Sequence, residues 1–224
     1  MHKKKPVLYS ICLLLFINAI GSGLIFPILP ALFLDQKFGL RINDMYMSRE
    51  VIYGLSFVAF HIASVFGMPI LGQMADIYGK VRVMLGSLIC IIITDLLSIT
   101  AIILGSILLF LVSRLLVGFL TGVYAAGMSM ISDISSNDEE RISNFKLATL
   151  ASLVGAPLGP GLAIFINNNS QINPYIMPFV VATALSILSF TALSFNFKKM
   201  KTEKVCNTTI IHAPELEHYE TKKK

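Results

Sequence analysis

Charge is scarce in this sequence. Asp, Glu, Lys and Arg make up 14% of its 224 residues, against 55% hydrophobic residues, and tryptophan is absent. So few charged groups cannot clothe a water-soluble domain. They also avoid apolar blocks of roughly 20 residues or more, the length needed to cross a hydrocarbon layer ~30 Å thick. The three cysteines, Cys12, Cys90 and Cys206, form an odd, scattered set. They support neither a disulfide framework nor a metal site, and the two inside apolar blocks read as small hydrophobes. No G-x-x-x-x-G-K-[ST] loop occurs, which excludes an ATP-driven exporter half. A hydrolase needs a nucleophile beside a base, and Gly21-Ser22-Gly23 with His61 is the only pretext for one. The chain therefore reads as no enzyme, with no catalytic residue, no cofactor and no metal.

What the sequence does have is six membrane-length segments. Apolar patterning places helices at 7–34, 51–75, 83–104, 106–132, 145–166 and 175–195. The start, Met1-His2-Lys3-Lys4-Lys5, imitates a signal peptide. The apolar run continues from Pro6 to Leu34 without a small-residue cleavage site, so it reads as a retained first helix. Residues 1–197 form one six-helix bundle, and residues 198–224 form a polar tail.

The net charge of +5 does not point to nucleic acid, because the basic residues lie between apolar blocks without interleaved aromatics. Their distribution sets orientation. With both termini in the cytoplasm, the inner side holds Lys3–Lys5, Lys80, Arg82, Arg141, Lys146 and seven tail lysines, fourteen in all. The outer side holds three, Lys37, Arg41 and Arg49. The chain is expected to be a multi-pass protein of the plasma or inner membrane, with the lipid bilayer as its first partner.

Loop lengths carry a further pattern. A long outer loop (35–50) is followed by a short inner one (76–82), then a longish inner loop (133–144) by a short outer one (167–174). Long-then-short on opposite faces is what an inverted pair of three-helix repeats produces. The fold class expected is an all-α membrane protein with that repeat.

Three motifs carry mechanism. After helix two comes Gly72-Gln73-Met74-Ala75-Asp76-Ile77-Tyr78-Gly79-Lys80-Val81-Arg82. Gly72 permits close helix approach. Asp76 is placed to accept hydrogen bonds from a facing helix amino terminus. Gly79 permits a tight turn, and Asp133, ending helix four, is a candidate latch partner for Lys80 or Arg82. Helix four contains Arg114-x-x-x-Gly118-x-x-x-Gly122, a small-residue packing stripe. Helix five contains Gly155-Ala156-Pro157-Leu158-Gly159-Pro160-Gly161, a density of glycine and proline that calls for a bending or packing role.

The first of these resembles the loop 2–3 signature of the major facilitator superfamily, G-x-x-x-D-[RK]-x-G-[RK]-[RK], with Ile77 and Val81 where basic residues are usual. The helix-four pattern is similar to that family's R-x-x-x-G-x-x-x-G. The helix-five stretch resembles the antiporter motif G-x-x-x-G-P-x-x-G-G, with Ala163-Ile164 in place of the final glycine pair. Residues Asn18 to Pro30 resemble the first helix of tetracycline-type drug/proton antiporters. The resemblance implies a small-molecule substrate, protons as coupling ion, and a gate at the Gly155, Pro157, Gly159 and Pro160 kink. Relatives often carry an acid where Asn18 stands, and asparagine carries no proton at neutral pH.

Ionisable residues inside spans are costly and tend to be paired or functional. There are two, Asp95 and Arg114. Asp95 precedes Gly105 by ten residues and Arg114 follows it by nine. Both therefore sit roughly 14–15 Å below the outer turn. An ion pair between them and a cavity-facing role for Arg114 are both open readings. His61, in mid helix two, reads as a packed, hydrogen-bonded residue.

A complete transporter of this family has two six-helix halves around one path. The resemblance covers residues 10–195, one half, with the tail resembling the loop between halves. The expected partner is a second six-helix half or a second copy of the chain. The alternatives to a subunit of a split or homodimeric transporter are a truncated product, a fragment of a longer chain, or a non-transporting regulatory protein.

Overall fold

Every apolar block folds as helix in the computed structural model of the chain, which describes residues 5–34, 48–169 and 175–197. The expected polar tail, most of the long 35–50 loop and most of the 167–174 loop lie outside the described residues. Six spans are long and apolar enough to cross a membrane. Span one is α1 (Lys5–Ile25) and α2 (Ile28–Leu34), span two is α3 (Arg49–Tyr78), and span three is α4 (Lys80–Leu104). Span four is α5 (Ile107–Leu120) and α6 (Val123–Ile134), span five is α7 (Asp138–Asn169), and span six is α8 (Met177–Phe197).

Local chemistry explains where helices stop. Gly79, at φ 95°, turns α3 into α4, and Gly105, at φ 66°, turns α4 into α5. Both conformations strain any residue with a Cβ. Ser106 then caps α5 by accepting from the Leu109 N–H. Span one breaks at Phe26-Pro27, where proline cannot donate to the helix ladder. Span four tightens at Thr121-Gly122, where Thr121 N–H and Gly122 N–H bond three residues back, to Gly118 and Phe119 carbonyls. The Thr121 hydroxyl also donates to the Gly118 carbonyl at 2.6 Å.

Span five begins seven residues before the expected 145, at Asp138. The extension is polar, so hydropathy did not mark it. It is held by a reciprocal amino-terminal bond pair: Glu140 N–H donates to Asn137 Oδ1 at 2.8 Å, and Ser136 N–H donates to the Glu140 carboxylate at 2.7 Å. Three acidic residues in its first turn complement the helix dipole.

Among spans one to five, the most extensive helix pairings are span one with span five, and span two with span four. An inverted repeat that exchanges spans one, two and three with four, five and six maps each of these pairs onto the other. Both seams rest on glycine. A Cβ on Gly155 would stand 2.6 Å from the Phe16 carbonyl, and one on Gly159 would stand 2.5 Å from the Gly23 backbone. In the other seam, Cβ atoms on Gly67 and Gly118 would overlap the backbones of Phe119 and Phe60. Lipid offers no hydrophobic drive between helices, so close backbone approach supplies the packing.

Gly72 does not serve this purpose: nothing lies within 4 Å of a Cβ built there. The reason is helical phase. Gly67, five residues earlier, takes the contact, and five residues turn the helix about 140° past a full revolution.

Two apolar clusters fill the bundle. One, at the end bearing the α3–α4 turn, includes Ile11, Leu15, Met84, Leu88, Val123 and Leu193. The other, at the end bearing Gly105, includes Leu24, Phe33, Ile52, Ile102, Phe110 and Phe179. Between them, in mid-membrane, the packing gives way.

Candidate functional site

That gap is a cavity of about 590 Å³, lined by residues from spans one to six. On span one Asn18 falls between Leu15 of one cluster and Ile20 of the other; on span three Asp95 falls between Ile91 and Ala101; on span four Arg114 falls between Phe110 and Leu120. All three face the same space. The sequence picked these residues for their chemistry, and the fold brings them together at one depth.

Their environments differ. Arg114 is 3% exposed and is held from three sides. Its Nη2 donates to Ser98 Oγ at 2.9 Å, and its guanidinium carbon stands 5.1 Å and 5.3 Å from the ring centres of Phe110 and Phe179. These are cation–π distances. Ser98 Oγ in turn lies 2.9 Å from both the Thr94 carbonyl and Ser113 Oγ, and Ser113 donates to the Phe110 carbonyl at 2.6 Å. The guanidinium Nε is buried without a partner. Asp95, also 3% exposed, has no hydrogen-bond or ion-pair partner among the described residues. The direct Asp95–Arg114 ion pair held open by the sequence does not form among those residues, because Ser98 and the two rings hold the guanidinium elsewhere.

Asn18 is half-buried, with no partner among the described residues. His61 lines the cavity as an exposed residue rather than the packed one expected, though hydrogen-bonded as expected through one ring nitrogen. Nδ1 sits 2.9 Å from the Phe57 carbonyl, and the ring centre lies 4.4 Å from that of Phe57 and 5.2 Å from that of Phe60. Phe26, Phe57, Phe60 and Tyr124 make the rest of an aromatic wall.

The other candidate residues form two sets, one away from the cavity and one that only partly reaches it. At the α3–α4 turn, Lys80 Nζ meets Asp133 at 2.5 Å, donates to the Ser129 carbonyl at 3.2 Å, and stands 3.8 Å from Asp76. Asp76 is two-thirds exposed and receives no helix amino terminus among the described residues, and Arg82 is exposed. On span five, α7 stays helical through Pro157 and Pro160 rather than breaking. Pro160 has no N–H, which leaves the Ala156 carbonyl without its helical donor. That oxygen lies against Gly23, where a Cβ would come within 2.5 Å of it. Ala156 and Pro160 line the cavity, whereas Gly155 and Pro157 do not.

Ser98, Phe110 and Phe179 were not legible in the sequence. Serine and phenylalanine are ordinary in a span, and their function depends on which faces meet. A serine on span three at a depth shared with Arg114 was the one available signal.

The sequence pattern of the Major Facilitator Superfamily matches residues 11–214. The chain is 29% identical over 191 residues to the quinolone resistance protein NorA of Staphylococcus aureus (strain Mu50), an alignment covering 85% of this chain and 44% of that protein. It is 27% identical over 187 residues to the class B tetracycline resistance protein of Escherichia coli, covering 83% and 42%. Its fold matches the human organic anion transporter MFSD10 (TETRAN) with a TM-score of 0.70 at 21% identity, covering 85% of this chain and 46% of that one. The chain thus spans less than half the length of each.

Proposed function

The chain belongs to the Major Facilitator Superfamily, a family of transporters rather than enzymes, and on that footing we propose that its mid-membrane cavity is one wall of a path for exporting small amphipathic molecules in exchange for protons. The observation that carries this reading is the meeting of Asn18, Asp95 and Arg114 in one aromatic-walled space between two sealed apolar clusters. Asp95 is the one carboxylate lining the cavity among the described residues, and takes the role of proton carrier. Asn18 contributes a hydrogen bond and no proton. The likeness to a quinolone and a tetracycline resistance protein supports drug-like molecules as the cargo.

A second six-helix half, or a second copy, closes the path. Only 17% of the apolar windows of spans two and five is buried, against 44% in spans one, three and four. Val58, Ile62, Val65 and Phe66 of span two, and Leu150, Leu153 and Leu158 of span five, stand exposed. In this reading both termini and the Lys80 turn lie in the cytoplasm, which the fourteen-to-three distribution of basic residues supports. Residues 198–224 lead from the bundle as a polar connector. On the cytoplasmic face, Lys80, Asp133 and Asp76 form the latch that opens when the path turns inward.

Reconstitution tests this. Purified chain shown to be monomeric, placed in proteoliposomes with an imposed proton gradient, is expected to move no fluorescent amphipathic amine. Flux appears only when a second half or a second copy is assembled with it. Robust proton-driven flux from the monomer contradicts the proposal.

A further inference from the structure

Two opposite charges stand in this cavity at one depth, in a medium where Coulomb attraction is weakly screened, and they do not meet. Asp95, 3% exposed on the cavity wall, has no hydrogen bond or ion pair among the described residues, and Arg114 Nε is buried unsatisfied; both are expensive in a membrane span. The cheapest arrangement would be for Arg114 to turn onto Asp95. Three contacts oppose it: Ser98 Oγ accepts from Nη2, Phe110 stacks at 5.1 Å, and Phe179 of span six stacks at 5.3 Å. Ser98, Ser113, Phe110 and Phe179 are all fully or nearly fully buried, so the clamp cannot easily yield. Span three thus carries both Asp95 and, three residues on, the hydroxyl that draws the arginine away from it. The aromatic wall of Phe26, Phe57, Phe60 and Tyr124 lines the same cavity.

We propose that the Ser98–Phe110–Phe179 clamp keeps Arg114 from neutralising Asp95, so that the cavity selects aromatic ligands bearing both an ammonium and a carboxylate. The ammonium takes Asp95, the carboxylate takes the free edge of Arg114, and the ring lies on the aromatic wall. Ser98 is a positioning residue: it touches Arg114 rather than the ligand. A ligand with a single charge leaves the opposite group buried and unsatisfied, and so binds more weakly. This assignment deepens the proposed function and rests on its reading of the cavity as a binding site.

The test uses the purified full chain in lipid nanodiscs and three fluorescent probes. Nα-dansyl-lysine carries both charges, its methyl ester the ammonium alone, and its Nε-acetyl derivative the carboxylate alone. The zwitterion is expected to bind roughly tenfold or more tightly than either relative, the affinity of about one lost charged contact. Asp95→Asn should bring the Nε-acetyl probe level with the zwitterion. Ser98→Ala, a small change in a buried site, should shrink the preference for the zwitterion to less than about threefold, because Arg114 is then free to pair with Asp95. A methyl ester that binds as tightly as the zwitterion, or a preference that Ser98→Ala leaves intact, overturns the zwitterion assignment while the cavity reading stands. Binding of none of the three overturns the cavity reading, and this assignment with it.

Discussion

Spans three and four bury Asp95, Ser98, Ser113 and Arg114 to 3% exposure or less, while span two leaves Val58, Ile62, Val65 and Phe66 between 48% and 68% bare. One wall of the cavity is a finished interior with a polar network, and the span-two wall is an apolar and aromatic rim of Phe57, Phe60 and Met68 with His61. The finished wall is pinned by side-chain hydrogen bonds and cation–π contacts that span three helices. The open wall rests on backbone seams, where Gly67, Gly118 and Gly122 let span two lie against span four, and on the buried Ile52, Leu71 and Ala75 nearer its ends. Electrostatics is thereby fixed before anything binds, and adaptability is left to the rim. The rim is the face offered to the proposed second half.

The largest effect should come from the seam. Gly118→Leu drives a side chain into the Phe60 backbone and is expected to cost about 3 kcal/mol or more, seen as loss of monodisperse protein and a lower unfolding temperature. Gly72→Leu meets open space and should stay within about 0.5 kcal/mol of the parent. Equal damage from both would show that span two crosses span four elsewhere.

The finished wall is sharpened next. Arg114→Ala should lower transport by the assembled protein, or ligand affinity of the chain, about tenfold or more, since it removes a buried charged contact. His61→Ala should change either by less than about twofold, because its ring is spent on Phe57 and its Nδ1 on the Phe57 carbonyl. A reversed order of the two would move the site from span four to span two.

The smallest effect belongs to the latch. Lys80 bonds Asp133 at a partly exposed turn, and Asp133 is 62% exposed. Lys80→Ala should therefore alter thermal stability by less than about 1 kcal/mol, with the difference fading at high salt. A larger, salt-independent loss would place the pair in the interior.

The six spans were legible because lipid imposes a length that composition alone reveals. Asp95 and Arg114 stood out because charge is rare inside spans. Gly72 misled because a glycine stripe shows that close approach is possible without showing which face crosses a neighbour, and Gly67 holds that crossing. The amino-terminal extension of span five was hidden because Asp138 to Asn144 is largely polar, and the bonds of Glu140 with Asn137 and Ser136, not hydropathy, start the helix. The clamp on Arg114 was hidden for a related reason. Ser98, Phe110 and Phe179 come from three spans, and only the packed bundle brings them to one guanidinium.

Whether Asn18, Asp95 and Arg114 share one water-accessible cavity can be read directly by cysteine labelling. In a chain whose native cysteines are replaced by serine, Asn18→Cys should react with a water-soluble maleimide and be slowed by Nα-dansyl-lysine. Ile93→Cys, on the 58% exposed outer face of span three, should remain unreactive in the bilayer. Labelling of both at the same rate, with no protection at position 18, would contradict the account.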